Sequence, residues 1–175
     1  MAAGRSKHRA SVELYQPTET GSQQVVQLSS DWAHYGQATD GAVASLLLEW
    51  PLPGSRYGAK QYLLYLHLPE GSGVFEVGDP IATPSEDVVS GFLIQRTGRL
   101  KGVTHFVMGT INIRGKSLRR GSVELKCADR TEIRGKFIAK PGSRTTFFQH
   151  DHQLDIANAM TTARGQTASQ HATTD

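Results

Sequence analysis

Short apolar or alternating runs, each cut off by glycine or proline, recur along the whole chain, and no helical period appears before the C-terminal region. Alternation places successive side chains on opposite faces of an extended segment, so this pattern predicts strands. The predicted strands are Ser11 to Tyr15, Gln24 to Leu28, Val43 to Trp50, Gln61 to Leu68, Val74 to Val77, Val88 to Gln95, His105 to Ile113, Ser122 to Cys127, Glu132 to Ala139 and Thr145 to Gln149. Pro51 to Gly54, Pro69 to Gly73, Asp79 to Pro84 and Pro141 with Gly142 separate them, because these residues either fix φ or permit its positive range. The expected fold is therefore all-β, a mainly antiparallel sandwich or barrel of about eight to ten strands. Val43 to Trp50 and Gln61 to Leu68 are apolar at both parities, as befits central strands covered on both faces. The prolines of WPLPGSRYGAK lack ladder donors, so that stretch reads as an exposed loop.

One hairpin is specified more closely. Val123, Leu125 and Cys127 alternate with Glu124 and Lys126, and Ile133 and Phe137 alternate with Glu132, Arg134 and Lys136. Both apolar sets stay on one side only if the loop has an odd number of residues, and Asp129, Arg130 and Thr131 satisfy this. In that register Cys127 faces Ile133, Val123 faces Phe137, Glu124 faces Lys136, and Lys126 lies opposite Arg134, a like-charged pair that a bound anion would relieve. The same stretch, VELKCADRTEIRGKFIA, resembles the strand, turn and strand of Sm-like RNA-binding proteins over 17 residues. The segment after it lacks that family's acidic and asparagine positions, and no site residue is transferred.

Leu154, Ile156, Ala157 and Met160 predict a short helix beginning near Asp151. The organisation that follows is a flexible basic N-terminus over 1–10, one β-rich domain over 11–160 and a disordered polar tail over 161–175. At 175 residues one domain is the natural size. The single cysteine, Cys127, precludes an internal disulfide and, by alternation, reads as a buried small hydrophobe. The longest apolar runs fall far short of the about 20 residues of a membrane-crossing helix, and the N-terminus has no apolar run completing a signal peptide. No membrane span and a cytoplasmic location are expected.

Charge changes the picture most. Lys and Arg number 5 against 10 Asp and Glu over residues 1–95, 13 against 3 over 96–144, and 1 against 3 over 145–175; these balances of −5, +10 and −2 give the net +3. Such segregation argues about electrostatic partners and not about fold. Arg96, Arg99 and Lys101 flank a turn, Arg114, Lys116, Arg119 and Arg120 crowd a loop, and Lys126, Arg134 and Lys136 project from a wet face. Together these ten residues form the expected polyanion site, since guanidinium forks bind phosphate and release its counterions. Few aromatic residues interleave with them, against stacking on single-stranded bases.

Other motifs carry weaker chemistry. His150 and His152 in QHDHQLD share one side of an extended segment, a spacing suited to a metal, with Asp151, Asp155, His67 or His105 as further ligands. Trp32 and Tyr35 in the DWAHYG loop suggest a stacking platform. No nucleophile elbow, phosphate-cradling glycine loop or HExxH pattern appears, so no cofactor is assigned and catalysis is not expected. The leading expectation is a non-catalytic binding module with a basic face for an anionic macromolecule. The alternatives are a small barrel enzyme or carrier with an internal pocket, and a homo-oligomer whose acidic and basic halves meet across subunits.

Overall fold

The computed structural model describes residues 9–37, 43–51, 60–82, 89–97, 100–141 and 161. They form ten strands: β1 Ala10–Pro17, β2 Gln23–Ser30, β3 Trp32–Gln37, β4 Val43–Pro51, β5 Lys60–Pro69, β6 Gly73–Gly78, β7 Ser90–Thr97, β8 Leu100–Arg114, β9 Arg119–Cys127 and β10 Glu132–Pro141. Seven of them, β10, β3, β4, β5, β7, β8 and β9, close into a barrel; β1 and β2 extend outward from β10, and β6 pairs with β8. The fold is all-β, as the alternation predicts. Nine of the ten predicted strands coincide with observed ones. The tenth, Thr145 to Gln149, lies outside the described residues, as do the predicted helix and, except for Thr161, the tail.

Two long strands make the closure. β8 pairs with β7 through Thr97↔Leu100 to Phe92↔His105, then with β9 from Phe106↔Cys127 across a bulge between Phe106 and Met108, and with β6 beyond that bulge. The extra residue, Val107, switches the inward parity from Phe106 to Ile111 and Ile113, all three fully buried, and turns the strand from one sheet into the other. At the opposite corner β10 pairs with β9 and β1, then runs parallel to β3 through Lys140↔His34 and Pro141↔Tyr35. The result is a six-stranded sheet, β2-β1-β10-β9-β8-β6, facing a second sheet built from β3, β4, β5, β7 and the first part of β8. Without Cβ atoms, Gly121 and Gly135 allow the close approach: a Cβ on Gly121 would lie 1.8 Å from the Asn112 carbonyl oxygen, and one on Gly135 2.3 Å from that of Ser11.

One core between the two sheets is filled by apolar side chains from both, among them Leu14, Leu46, Leu48, Leu64, Leu66 and Phe106. β4 and β5 are buried at both parities, as expected from their sequences. Leu47, Leu63, Tyr65, Phe92 and Ile94 form a second buried cluster on the outer face of the second sheet, with Val103 packed against it. On this face Ser45 Oγ and Tyr65 OH lie within hydrogen-bond distance at 3.0 Å, and His34 Nε2 lies 3.6 Å from the buried Glu49 carboxylate.

The Val123 to Phe137 hairpin forms, with both apolar sets inward, but its pairing is moved by two residues. Ile133 faces Leu125, Arg134 faces Glu124, Glu132 faces Lys126, and Phe137 lies over Gly121. The loop is Ala128, Asp129 and Arg130: Cys127 N donates to Thr131 O, Arg130 N donates to Cys127 O, and Arg130 adopts φ +70°. Parity is blind to a two-residue slide. The three-residue turn with a left-handed last residue decides it, and the expected Lys126 and Arg134 opposition is replaced by two opposite-charge pairs.

Candidate functional site

The outer face of the six-stranded sheet is solvated, and its rows can be followed across the strands. Through the middle run Gln27, Glu13, Arg134, Glu124, Thr110 and Glu76, beside a row of Val25, Tyr15, Glu132, Lys126 and Met108. Here each cation meets carboxylates. Arg134 lies between Glu13 and Glu124, forms an ion pair with Glu132 at 3.2 Å, and stacks over the Tyr15 ring at 5.2 Å. The Tyr15 hydroxyl donates to Glu13, and that carboxylate raises its pKa.

Toward the β8 to β9 turn the rows change character. Ser29, Ser11, Lys136, Ser122, Asn112 and Val74 form the next row, with one cation and no carboxylate. In the row beyond, Arg114 and Arg120 are direct cross-strand neighbours, and Ile138 lies on the other side of Arg120. Ile138 N donates to Arg9 O, so Arg9 flanks the same row from the β1 side. Arg114, Lys116, Arg120 and Lys136 are exposed. Arg9 is half-buried, and its Nη1 is out of contact with water and has no hydrogen-bond partner among the described residues. Lys140, also exposed, continues the parity of Lys136 along β10.

The ten cations singled out from the sequence therefore separate into groups. Arg114, Lys116, Arg120 and Lys136 come together at one end of the sheet. Lys126 and Arg134 sit among carboxylates in its middle. Arg119 points inward at the barrel end: its Nη1 donates to Gly71 O, Ser72 Oγ and Gly115 O, and its guanidinium stacks over the Tyr35 ring at 4.8 Å. It ties the turn after β8 to the segment before β6. Arg96 and Lys101 pair in the β7 to β8 hairpin, at the far end of the 15-residue β8 from Arg114; Arg99 lies outside the described residues. Sequence reading missed Arg9, whose position beside Ile138 depends on pairing across more than a hundred residues. Lys140 was accessible from its four-residue spacing to Lys136.

The remaining motifs resolve differently. DWAHYG is not a loop: Trp32 to Gln37 form β3. Trp32 projects outward and is 38% exposed, whereas Tyr35 projects into the barrel and is buried, so the two rings do not share a platform. His150, His152, Asp151 and Asp155 lie outside the described residues. Among the described residues no group of three or more His, Cys, Asp or Glu is arranged to hold a metal. His105 Nε2 lies 3.4 Å from Asp79 Oδ1 instead. Cys127 is buried, and burial pushes its thiol pKa up, the opposite of nucleophile activation. No helix among the described residues is long and apolar enough to cross a membrane. The chain matches no family model, no curated protein and no solved structure.

Proposed function

We propose that the chain is a binding module that holds a phosphate- or sulfate-bearing polyanion at the end of the six-stranded sheet, through Arg9, Arg114, Lys116, Arg120, Lys136 and Lys140. One observation carries the reading: Arg114 opposes Arg120 directly, and no carboxylate occupies their row among the described residues. Like charges directly opposite destabilise a sheet. An anion bridging the two guanidinium forks reverses the sign of that interaction and releases counterions from the ligand. The unpartnered Arg9 Nη1 supports the same reading, since a buried donor without an acceptor is costly. The strongly exposed large hydrophobic residues beside these cations, Val74 and Leu118, are aliphatic and offer no ring for a base, which favours contact with a charged backbone over base stacking.

Retention on heparin and binding of duplex DNA across a salt series test the proposal. Affinity is expected to fall with salt, with a log–log slope of about −0.9 per phosphate neutralised on DNA. Arg114→Glu with Arg120→Glu is expected to abolish binding, and Arg134→Glu to change it little. Absence of retention on either matrix at low salt overturns the reading.

A further inference from the structure

We infer that the open edge of β2 pairs antiparallel with β2 of a second copy of this chain, joining two six-stranded sheets into one across a two-fold axis. Strand edges present unpaired N–H and C=O groups, and proteins ordinarily blunt them with lysine, proline, bulges or short length. β2 uses none of these: it is eight residues long, reads QQVVQLSS, and pairs with β1 in unbroken register from Gln23↔Pro17 to Ser30↔Ala10. Among the described residues no strand lies on its other side. Gln23, Gln24, Val25, Gln27 and Ser29 are exposed, with Val25 at 50%.

The direction of the free groups follows from the turn. Thr18 N donates to Ser22 O, so Thr18 and Ser22 form a hydrogen-bonded pair, and alternation turns the N–H and C=O of Val25, Gln27 and Ser29 away from β1. The other open edge of the same sheet is protected. β6 carries Glu76, Val77 bridges Val89, and Gly78 N donates to Val89 O.

A second copy is the occupant because of charge. In a two-fold interface each strand meets itself reversed, so a charged strand brings like charges into proximity. β2 has no charge. A two-fold at Gln27 sets this residue against itself between two Val25 and Ser29 pairs, with the wet sides of both sheets on one face. The contact is made of backbone hydrogen bonds and neutral side chains, so it is insensitive to salt, unlike polyanion binding or an acidic half meeting a basic one.

Sedimentation velocity of the full chain over a dilution series, at low and high salt, tests the inference. The expected result is a dimer that persists in high salt. Val25→Lys with Gln27→Lys is expected to weaken it at least tenfold. Gln27→Pro, which removes an outward N–H and leaves the β1 ladder intact, is expected to do the same. Far-ultraviolet circular dichroism identifies a variant that has not folded. A wild-type chain that stays monomeric at every concentration, a dimer that dissociates in high salt, or one that both folded variants leave intact overturns the inference.

Discussion

Arg114 and Arg120 face one another across the β8 to β9 ladder, whereas Arg134, on the same face of the same sheet, faces Glu124. Cross-strand pairs contribute roughly 0.2 to 1 kcal/mol, with a sign set by their charges. Arg120→Glu is therefore expected to raise stability by about that amount, because it converts repulsion into attraction. The same substitution is expected to lower the salt concentration needed to elute the protein from heparin. Opposite signs in unfolding and elution experiments are the signature of a pair kept for a ligand; a loss in both points to a structural role.

The two three-residue hairpin loops make a matched experiment. Glu19, Thr20 and Gly21 connect β1 to β2 with Gly21 at φ +80°, and Ala128, Asp129 and Arg130 connect β9 to β10 with Arg130 at φ +70°. A side chain in the left-handed region costs about 1 to 2 kcal/mol, part of which glycine returns as unfolded-state entropy. Arg130→Gly is expected to stabilise by up to about 1 kcal/mol and Gly21→Ala to destabilise by a similar amount, read from urea unfolding.

Cys127 supplies a pH dependence. Its folded pKa is raised above the ordinary value of 9.0 by burial, with Asp129 adding to the effect. The native state therefore holds its proton where the unfolded chain has lost it. Its contribution is fully present below pH 9 and declines as pH rises above it, approaching about 1.4 kcal/mol per unit for one proton. Cys127→Ala is expected to flatten this slope between pH 9 and 10, below the range in which Tyr62, raised from 10.0 by burial, adds its own. Thiol reagents are expected to react with the unfolded chain only.

Arg119 differs from its neighbours because its guanidinium is used within the fold. Arg119→Met removes donors to Gly71, Ser72 and Gly115 and the stack on Tyr35, with an expected loss of about 1 to 3 kcal/mol. Arg119→Lys is not expected to restore it, since one ammonium reproduces neither the planar stack nor the fork. Heparin elution of the folded Arg119→Lys variant is expected to stay close to that of the parent.

Much of what depends on neighbours along the chain was legible beforehand, although β3 read as a loop. Short apolar or alternating runs located nine strands, period-two alternation gave the inward sets of β9 and β10, double-sided apolar character marked β4 and β5, and Cys127 read as core. These are local properties, because successive side chains of an extended chain must take opposite faces. Only tertiary structure decided the rest. The parallel contact of β10 with β3 closes the barrel, and the bulge at Val107 reverses parity within one strand. The left-handed Arg130 slides a hairpin by two residues without disturbing its pattern, which parity cannot detect. The same limit governed the cations: composition revealed their excess, but register brought Arg9, Arg114, Arg120 and Lys136 to one end, gave Arg134 and Lys126 to carboxylates and turned Arg119 inward. Local sterics set a residue's face; its neighbours on that face are set by hydrogen bonds between segments far apart in the chain.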